Sequence, residues 1–315
     1  MHSITDKRIR DICSYLLGQD GGGNIGFIDV GSGGNLKAPW SLLPPERLST
    51  FNFEPTDSDV GSLPLCISNR TGTAPFFVAH DERASSFHKP LKDFVDRYGF
   101  NSMLTKKTTT VACTSLDEHF AGRYELPDAI DINVEGHDYQ VLQGASNLLA
   151  AGAIKLLKVE FELTAVYEGQ GYFSDIDAFL RARDFRLAHI QVDDVSPVNL
   201  RHLFHSGESI WGKALYAPTQ ARLAKRLSGI LNAENIGAAR REAASAIALY
   251  TAAKLPGYAY DVIGLTEITA IYPAVEAQQL RARVVRAFQW AKQEHRLHRL
   301  LGLAWSLVDV MRGKR

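Results

Sequence analysis

The sequence is poor in cysteine, carries no excess charge of either sign and has no long apolar run, and each lack narrows what it can do. Three cysteines, Cys13, Cys66 and Cys113, stand far apart in 315 residues without a CxxC pair. That excludes a disulfide framework and speaks against a zinc site, and it suits a reducing compartment. Basic and acidic residues balance at 35 each, so no long-range field advertises a nucleic acid or a membrane surface. No stretch approaches the roughly 18 apolar residues of a membrane span. The opening residues, Met1 to Arg10, are charged and hold no apolar h-region; secretion is not expected, and the cytoplasm is the expected location. Fixed-period repeats and low-complexity segments are missing too.

What is present is a series of short apolar runs that end in Gly, Asp or Glu and alternate with helical patterns, the signature of a parallel sheet with crossover helices. Strands are predicted at Ile25–Val30, Thr50–Phe53, Ala129–Val134, Ile154–Phe161, Arg186–Gln191 and Ile210–Tyr216. Helices are predicted over Asp138–Leu149 and Ser174–Arg183, where apolar residues recur at helical spacing. Ser115 and Glu118 have capping-box spacing. Residues 69–89 read as a loop containing a short Ala74–Ala79 strand, placed to border a pocket. After Tyr216 alanine, leucine and arginine dominate, with Pro218, Pro256-Gly257 and Pro273 as helix punctuation. Two regions follow: an α/β domain over 1–216 and a helical region over 217–315. The basic stretch from Arg281 to Arg315 could dock an acidic partner, a lipid surface or a second copy, although a helix with a solvated basic face explains it more simply.

The chemistry starts at Phe27-Ile28-Asp29-Val30-Gly31-Ser32-Gly33, a buried strand running into a glycine turn that lets a ligand reach the backbone. Glu54 ends the second strand, where a carboxylate can accept both hydroxyls of a ribose. Leu36 stands where a dinucleotide fingerprint has its last glycine. Asp29, ahead of the turn, repels a pyrophosphate and attracts an ammonium group; the alternative is a carboxylate that caps the turn. The combination favours S-adenosylmethionine over a nicotinamide dinucleotide. A second polar cluster, Asp131-Ile132-Asn133-Val134-Glu135-Gly136-His137-Asp138, empties from the next strand, and a third ends in Glu160 and Glu162. Alternation puts these two glutamates on one face.

Phe27 to Gly33, Phe53-Glu54-Pro55, Ser115-Leu116-Asp117, Val134-Glu135-Gly136 with Val141-Leu142-Gln143-Gly144-Ala145, and Val159-Glu160-Phe161-Glu162 together resemble successive motifs of the FkbM-type methyltransferases, over about residues 25 to 216. The resemblance implies a class I methyltransferase (Rossmann-like) fold, a seven-stranded mostly parallel sheet whose last strand is antiparallel. It implies S-adenosylmethionine as methyl donor and a hydroxyl of a sugar, glycan or secondary metabolite as acceptor. By position it assigns Asp29, Gly31, Ser32 and Gly33 to the donor turn, Glu54 to the ribose, and Asn133 with Glu135 to the methionine or acceptor side. The family usually shows Lys-Ile-Asp-Val-Glu-Gly followed soon by Glu, where this chain has Asp131, Asn133 and Asp138. No metal site is expected.

O-Methylation needs a base, because a sugar hydroxyl hardly ionises at neutral pH. His137 is the expected base, with Asp138 and Glu160 in reserve and Glu135 beside them. His80, His88, His189, His202 and His205 read as surface residues, and Ser85-Ser86 as a loop pair near acceptor or donor. Two other classes stay open: a donor-binding scaffold that has lost catalysis, kept alive by Asn133, and an NAD-dependent oxidoreductase, which Leu36 disfavours.

Overall fold

The computed structural model describes residues 4–18, 23–31, 36–55, 62–123, 126–200 and 207–289. In chain order these begin with helix α1 (Ile4–Gly18), strands β1 (Ile25–Val30), β2 (Leu48–Phe53), β3 (Ser62–Leu63), β4 (Cys66–Ile67) and β5 (Gly72–Ala79), and helix α2 (Lys92–Tyr98). Next come β6 (Thr105–Thr114), α3 (Leu116–His119), β7 (Ala129–Ile132), α4 (Asp138–Gln143), α5 (Ser146–Ala150), β8 (Leu156–Glu162) and α6 (Phe173–Arg181). Strands β9 (Phe185–Val195) and β10 (Glu208–Pro218) and helices α7 (Gln220–Asn232), α8 (Ile236–Ala252), α9 (Pro256–Ile263) and α10 (Thr266–Ile271) complete the series.

By contacts the chain separates into two compact units, Asn24–Leu36 with Leu48–Arg226, and Met1–Gly23 with Lys37–Arg47 and Leu227–Arg315. The first is built on a seven-stranded sheet in the order β3-β2-β1-β7-β8-β10-β9. Strand β10 alone runs antiparallel to the rest of the sheet. This is the class I methyltransferase fold. The central strands β1, β7 and β8 are apolar on both faces over most of their length because helices cover the sheet. Ile28, Ile130, Ile132, Leu157, Val159 and Phe161 form its core with Val141, Leu142, Ile176 and Leu180 of the helices.

Each predicted strand exists; β1 has the predicted ends and the others differ. Val134 lies beyond β7 and Ile154 ahead of β8, while β9 runs on to Val195. The single helix expected over 138–149 is two helices. Gly144 interrupts it where the chain passes against the Ser68 carbonyl, which a Cβ at 144 would overlap. The Asp117 carboxylate accepts from the amides of Asn147 and Leu148 at 2.9 and 2.8 Å, capping the second half. Gly144→Ala should therefore destabilise this unit by about 2 kcal/mol, the cost of overpacking a fixed backbone, read as a lower thermal midpoint. Ser115 caps α3 as its spacing predicts, its Oγ accepting from Glu118 N at 3.1 Å.

A second sheet, β4-β6-β5, was legible only in its β5 strand. Strand β6 reads Thr-Lys-Lys-Thr-Thr-Thr before Val111 and is exposed for most of its length. It shows no apolar alternation, and threonine's β-branching is its only strand signal.

The other unit is helical. The alanine-rich face of α8 is buried, Ala243, Ala246 and Ile247 being fully enclosed, and Cys13 Sγ of α1 meets Ala248 O at 3.5 Å. Contacts thus group α1 with the helices that follow the sheet, whereas the change in composition falls at 216/217. In the basic stretch, Arg283 stacks on Tyr15 and Arg281 Nη2 donates to Ile263 O. Residues 290–315, on which most of the docking and oligomer expectation rests, lie outside the described residues. Among the described residues no helix is long and apolar enough to cross a membrane.

Candidate active site

Strand order reverses between β1 and β7, since β2 follows β1 on one side and β8 follows β7 on the other. Open α/β sheets bind ligands at the carboxyl ends of the strands flanking such a point. There the chain packs tightly. Asn133 N donates to Val30 O at 3.0 Å and Gly31 N to Phe53 O at 2.9 Å. Gly31 has φ +80°, and a Cβ on it would overlap the Asn133 carbonyl oxygen. Only glycine suits this position.

The register then gathers the polar residues. Asp29 lies opposite Asn52 and Asp131, Asp131 opposite Lys158, and Glu160 and Glu162 opposite Lys213 and Trp211. Because side chains alternate, Asp29, Asp131, Glu160 and Glu162 share one face of the sheet, and the same phase carried one step past the strand ends brings in Glu54 and Asn133. Ser32 and Gly33 of the expected donor turn lie outside the described residues. Asp131, which replaces the family's usual lysine, is paired with Lys158 at 2.8 Å; the exchange is compensated on the adjacent strand.

Beyond β7 the backbone turns through two left-handed residues, Glu135 at φ 55° and Gly136 at φ 82°. A Cβ at 136 would lie 2.6 Å from Tyr167 Cδ2, so the glycine admits the tyrosine, whose hydroxyl donates to Glu135 Oε2 at 2.8 Å. Asp138 is 1% exposed. Its Oδ1 accepts from Val134 N at 3.3 Å, while its Oδ2, like Asn133 Oδ1, is buried with no hydrogen-bond partner. Glu160 faces Lys213 at 3.7 Å.

Glu135, Asp138, Glu160 and Glu162 thus form an acidic cluster, buried at Asp138 and Glu162 and half-buried at Glu135 and Glu160. Burial raises the carboxyl of Asp138 well above its usual range, and the charges of Glu162, Glu160 and Glu135 raise it further. Glu160 and Glu162 are pushed up to about 8 by burial first; repulsion from Glu135 and Asp131 adds to this at Glu160, where Lys213 opposes it, and repulsion from Glu160 and Glu135 adds to it at Glu162. Glu135 is raised by burial against the pull of the Tyr167 hydrogen bond. Carboxylates so crowded share protons or take up a cation. Among the described residues no group of three or more His, Cys, Asp or Glu is arranged to hold a metal ion.

His137 sits at the start of α4, 6% exposed. Its Nε2 meets Ser68 Oγ at 3.0 Å and its Nδ1 meets His88 Nε2 at 2.9 Å. Burial, then His88 and Arg70, holds its pKa down to about 3. His88, expected as a lone surface residue, is half-buried and belongs instead to this hydrogen-bonded chain, and Ser86 Oγ donates to Glu135 O at 2.6 Å. Tyr167, Ser68 and His88 carry no local signal in the sequence; each reaches the site from a separate segment. At the same carboxyl edge, past β8, Thr164 and Ala165 line a depression of about 540 Å³ with Phe94, Arg97 and Glu208.

Residues 34–187 match the family model of the methyltransferase FkbM domain. This stretch is an FkbM methyltransferase domain. The FkbM domain covers the sheet from β2 to the start of β9 and so includes Glu54, both polar turns and the acidic cluster. Among solved structures the chain is similar to the magnesium protoporphyrin IX methyltransferase of Synechocystis PCC 6803 with bound SAM, at 14% identity and TM-score 0.29, over 68% of this chain and 79% of that one. No curated protein matches the chain.

Proposed function

We propose that the protein is a cytoplasmic S-adenosylmethionine-dependent O-methyltransferase whose acceptor is a hydroxyl of a sugar, glycan or secondary metabolite. One observation carries this reading: the sheet gathers Asp29, Glu54, Asn133, Glu160 and Glu162 on one face along the carboxyl edge that holds the topological switch point, beside Glu135 and the buried Asp138. The fit to the donor rests on this chain's own groups. Asn133 Oδ1 and Asp138 Oδ2 are buried and unpartnered, and the acidic cluster is short of positive charge. A ligand with an ammonium and a sulfonium supplies both hydrogen-bond donors and cations.

In this reading Asp29 takes the amino group, Gly31, Ser32 and Gly33 pass the ligand close to the backbone, and Glu54 accepts the ribose hydroxyls. Asn133 and Glu135 face the methionine end and the acceptor. When bound, S-adenosylmethionine supplies a methyl group on a sulfonium, already activated for attack by an oxygen. The chain must align the acceptor oxygen and remove its proton. Glu160 takes that proton, with Asp138 beside it, because both ring nitrogens of His137 are engaged; His137 orients the turn. The sheet unit, Asn24–Leu36 with Leu48–Arg226, carries this chemistry. The three free, buried cysteines suit the reducing cytoplasm.

Calorimetry with S-adenosylmethionine, S-adenosylhomocysteine and NADH tests the donor. Binding of the first two and none of NADH is expected, and the reverse would reject the reading in favour of an oxidoreductase. Methyl transfer to a panel of glycans is then measured. Glu160→Gln should lower turnover about a hundredfold, the usual worth of a positioned base, and donor binding without any transfer would leave a scaffold.

A further inference from the structure

Segment 85–90 bridges the two turns that end β7 and β8. Ser86 Oγ holds the Glu135 carbonyl, and Glu168 N donates to Lys89 O at 2.8 Å. Between these anchors runs a chain of side chains: Ser68 Oγ to His137 Nε2 at 3.0 Å, His137 Nδ1 to His88 Nε2 at 2.9 Å, and His88 Nδ1 to Glu168 O at 2.8 Å.

The last partner fixes every proton in the chain. A backbone carbonyl only accepts, so His88 Nδ1 carries hydrogen. Burial keeps both imidazoles below their usual range, so at neutral pH each ring has a single proton. His88 Nε2 is then an acceptor, His137 Nδ1 donates to it, and His137 Nε2 accepts from the Ser68 hydroxyl. The turn held in this way is one that resists forming. Glu135 is left-handed at φ 55°, a conformation that a residue with a Cβ resists.

We propose that His88 is a positioning residue of the methyl-transfer site: by accepting from His137 Nδ1–H it fixes one tautomer of His137 and pins the Glu135–Gly136–His137 turn, so that the Glu135 carboxylate stays on Tyr167 within the acidic cluster. Its purpose, though not its geometry, rests on the methyltransferase reading.

Wild type, His88→Leu and His88→Gln are compared at neutral pH by proton–nitrogen correlation spectra of the histidine rings, by thermal melting and by calorimetry with S-adenosylmethionine. The wild type should show His137 as a single Nδ1–H tautomer. His88→Leu should give mixed tautomers and about tenfold weaker binding, the worth of one lost hydrogen bond. His88→Gln, whose amide oxygen accepts the same bond, should restore both. A purely structural role would lower the melting temperature of both variants with no rescue by glutamine. The proposal is overturned by an Nε2–H tautomer of His137 in the wild type, or by an unchanged tautomer and affinity in His88→Leu. Should His88→Leu fail to fold, the wild-type spectrum and His88→Gln carry the decision. If the wild type does not bind S-adenosylmethionine the methyltransferase reading falls, while the ring spectra still decide what His88 does.

Discussion

Gly31→Ala is expected to abolish donor binding and to lower the melting temperature of the domain by roughly 10 °C, the equivalent of about 3 kcal/mol in a unit of this size. Two penalties combine. The residue sits at φ +80°, where a Cβ costs about 1 kcal/mol. That Cβ would also overlap the Asn133 carbonyl oxygen and press on Val134 Cγ1 at 3.2 Å. Relief requires β1 and the turn after β7 to part, and they part at the switch point itself. Gly229→Ala is the control, because a Cβ there meets nothing within 4 Å and helix α7 gains a better helix former. Differential scanning calorimetry with and without S-adenosylmethionine reads both effects. A Gly31→Ala protein that melts and binds like the wild type would remove this turn from the site.

The second large effect is on pH. S-Adenosylmethionine should bind more tightly as pH rises from 6 to about 8 and then level off, because Glu160 and Glu162 are pushed up to about 8 and must ionise to meet a cation. Each proton released on binding steepens the dependence by at most about tenfold per pH unit. S-Adenosylhomocysteine lacks the sulfonium charge and should respond less. The stability of the ligand-free protein should move the opposite way. A carboxyl whose folded pKa is raised keeps a proton that the unfolded chain has given up, so folding loses free energy as pH climbs from the ordinary value of 4.5 to about 8. Glu160→Gln removes that penalty. At pH 8.5 it should raise the stability of the free protein by roughly 2 kcal/mol while weakening donor binding. A variant that is less stable at pH 8.5, or a donor affinity flat between pH 6 and 8, would show that the cluster does not hold its protons as the burial implies.

The strands carrying the site were legible because they are buried on both faces and end in glycine or acid; β1 is found at the residues its apolar run marks, Ile25 to Val30. Glu135, Asp138 and Glu160 were visible as strand-end polar residues for the same reason. The misreadings also have physical causes. The break at Gly144 comes from a close approach to Ser68, and helical periodicity carries no trace of a neighbour 76 residues away. The long threonine strand β6 hides because a solvated strand need not alternate. His88 was taken for a surface residue because a lone histidine in a loop has no spacing to betray its partner.

The sequence by itself determined the sheet, its carboxyl edge and the kinds of groups placed there, since burial patterns and glycine turns are local properties of the chain. Only the tertiary structure decided which groups share a proton or a hydrogen bond. Strand register aligned Asp131 with Lys158, and long loops delivered Ser68, His88 and Tyr167 to the turn after β7. Such contacts are set by how distant segments pack, and they turned His137 from the expected base into a ring with both nitrogens engaged.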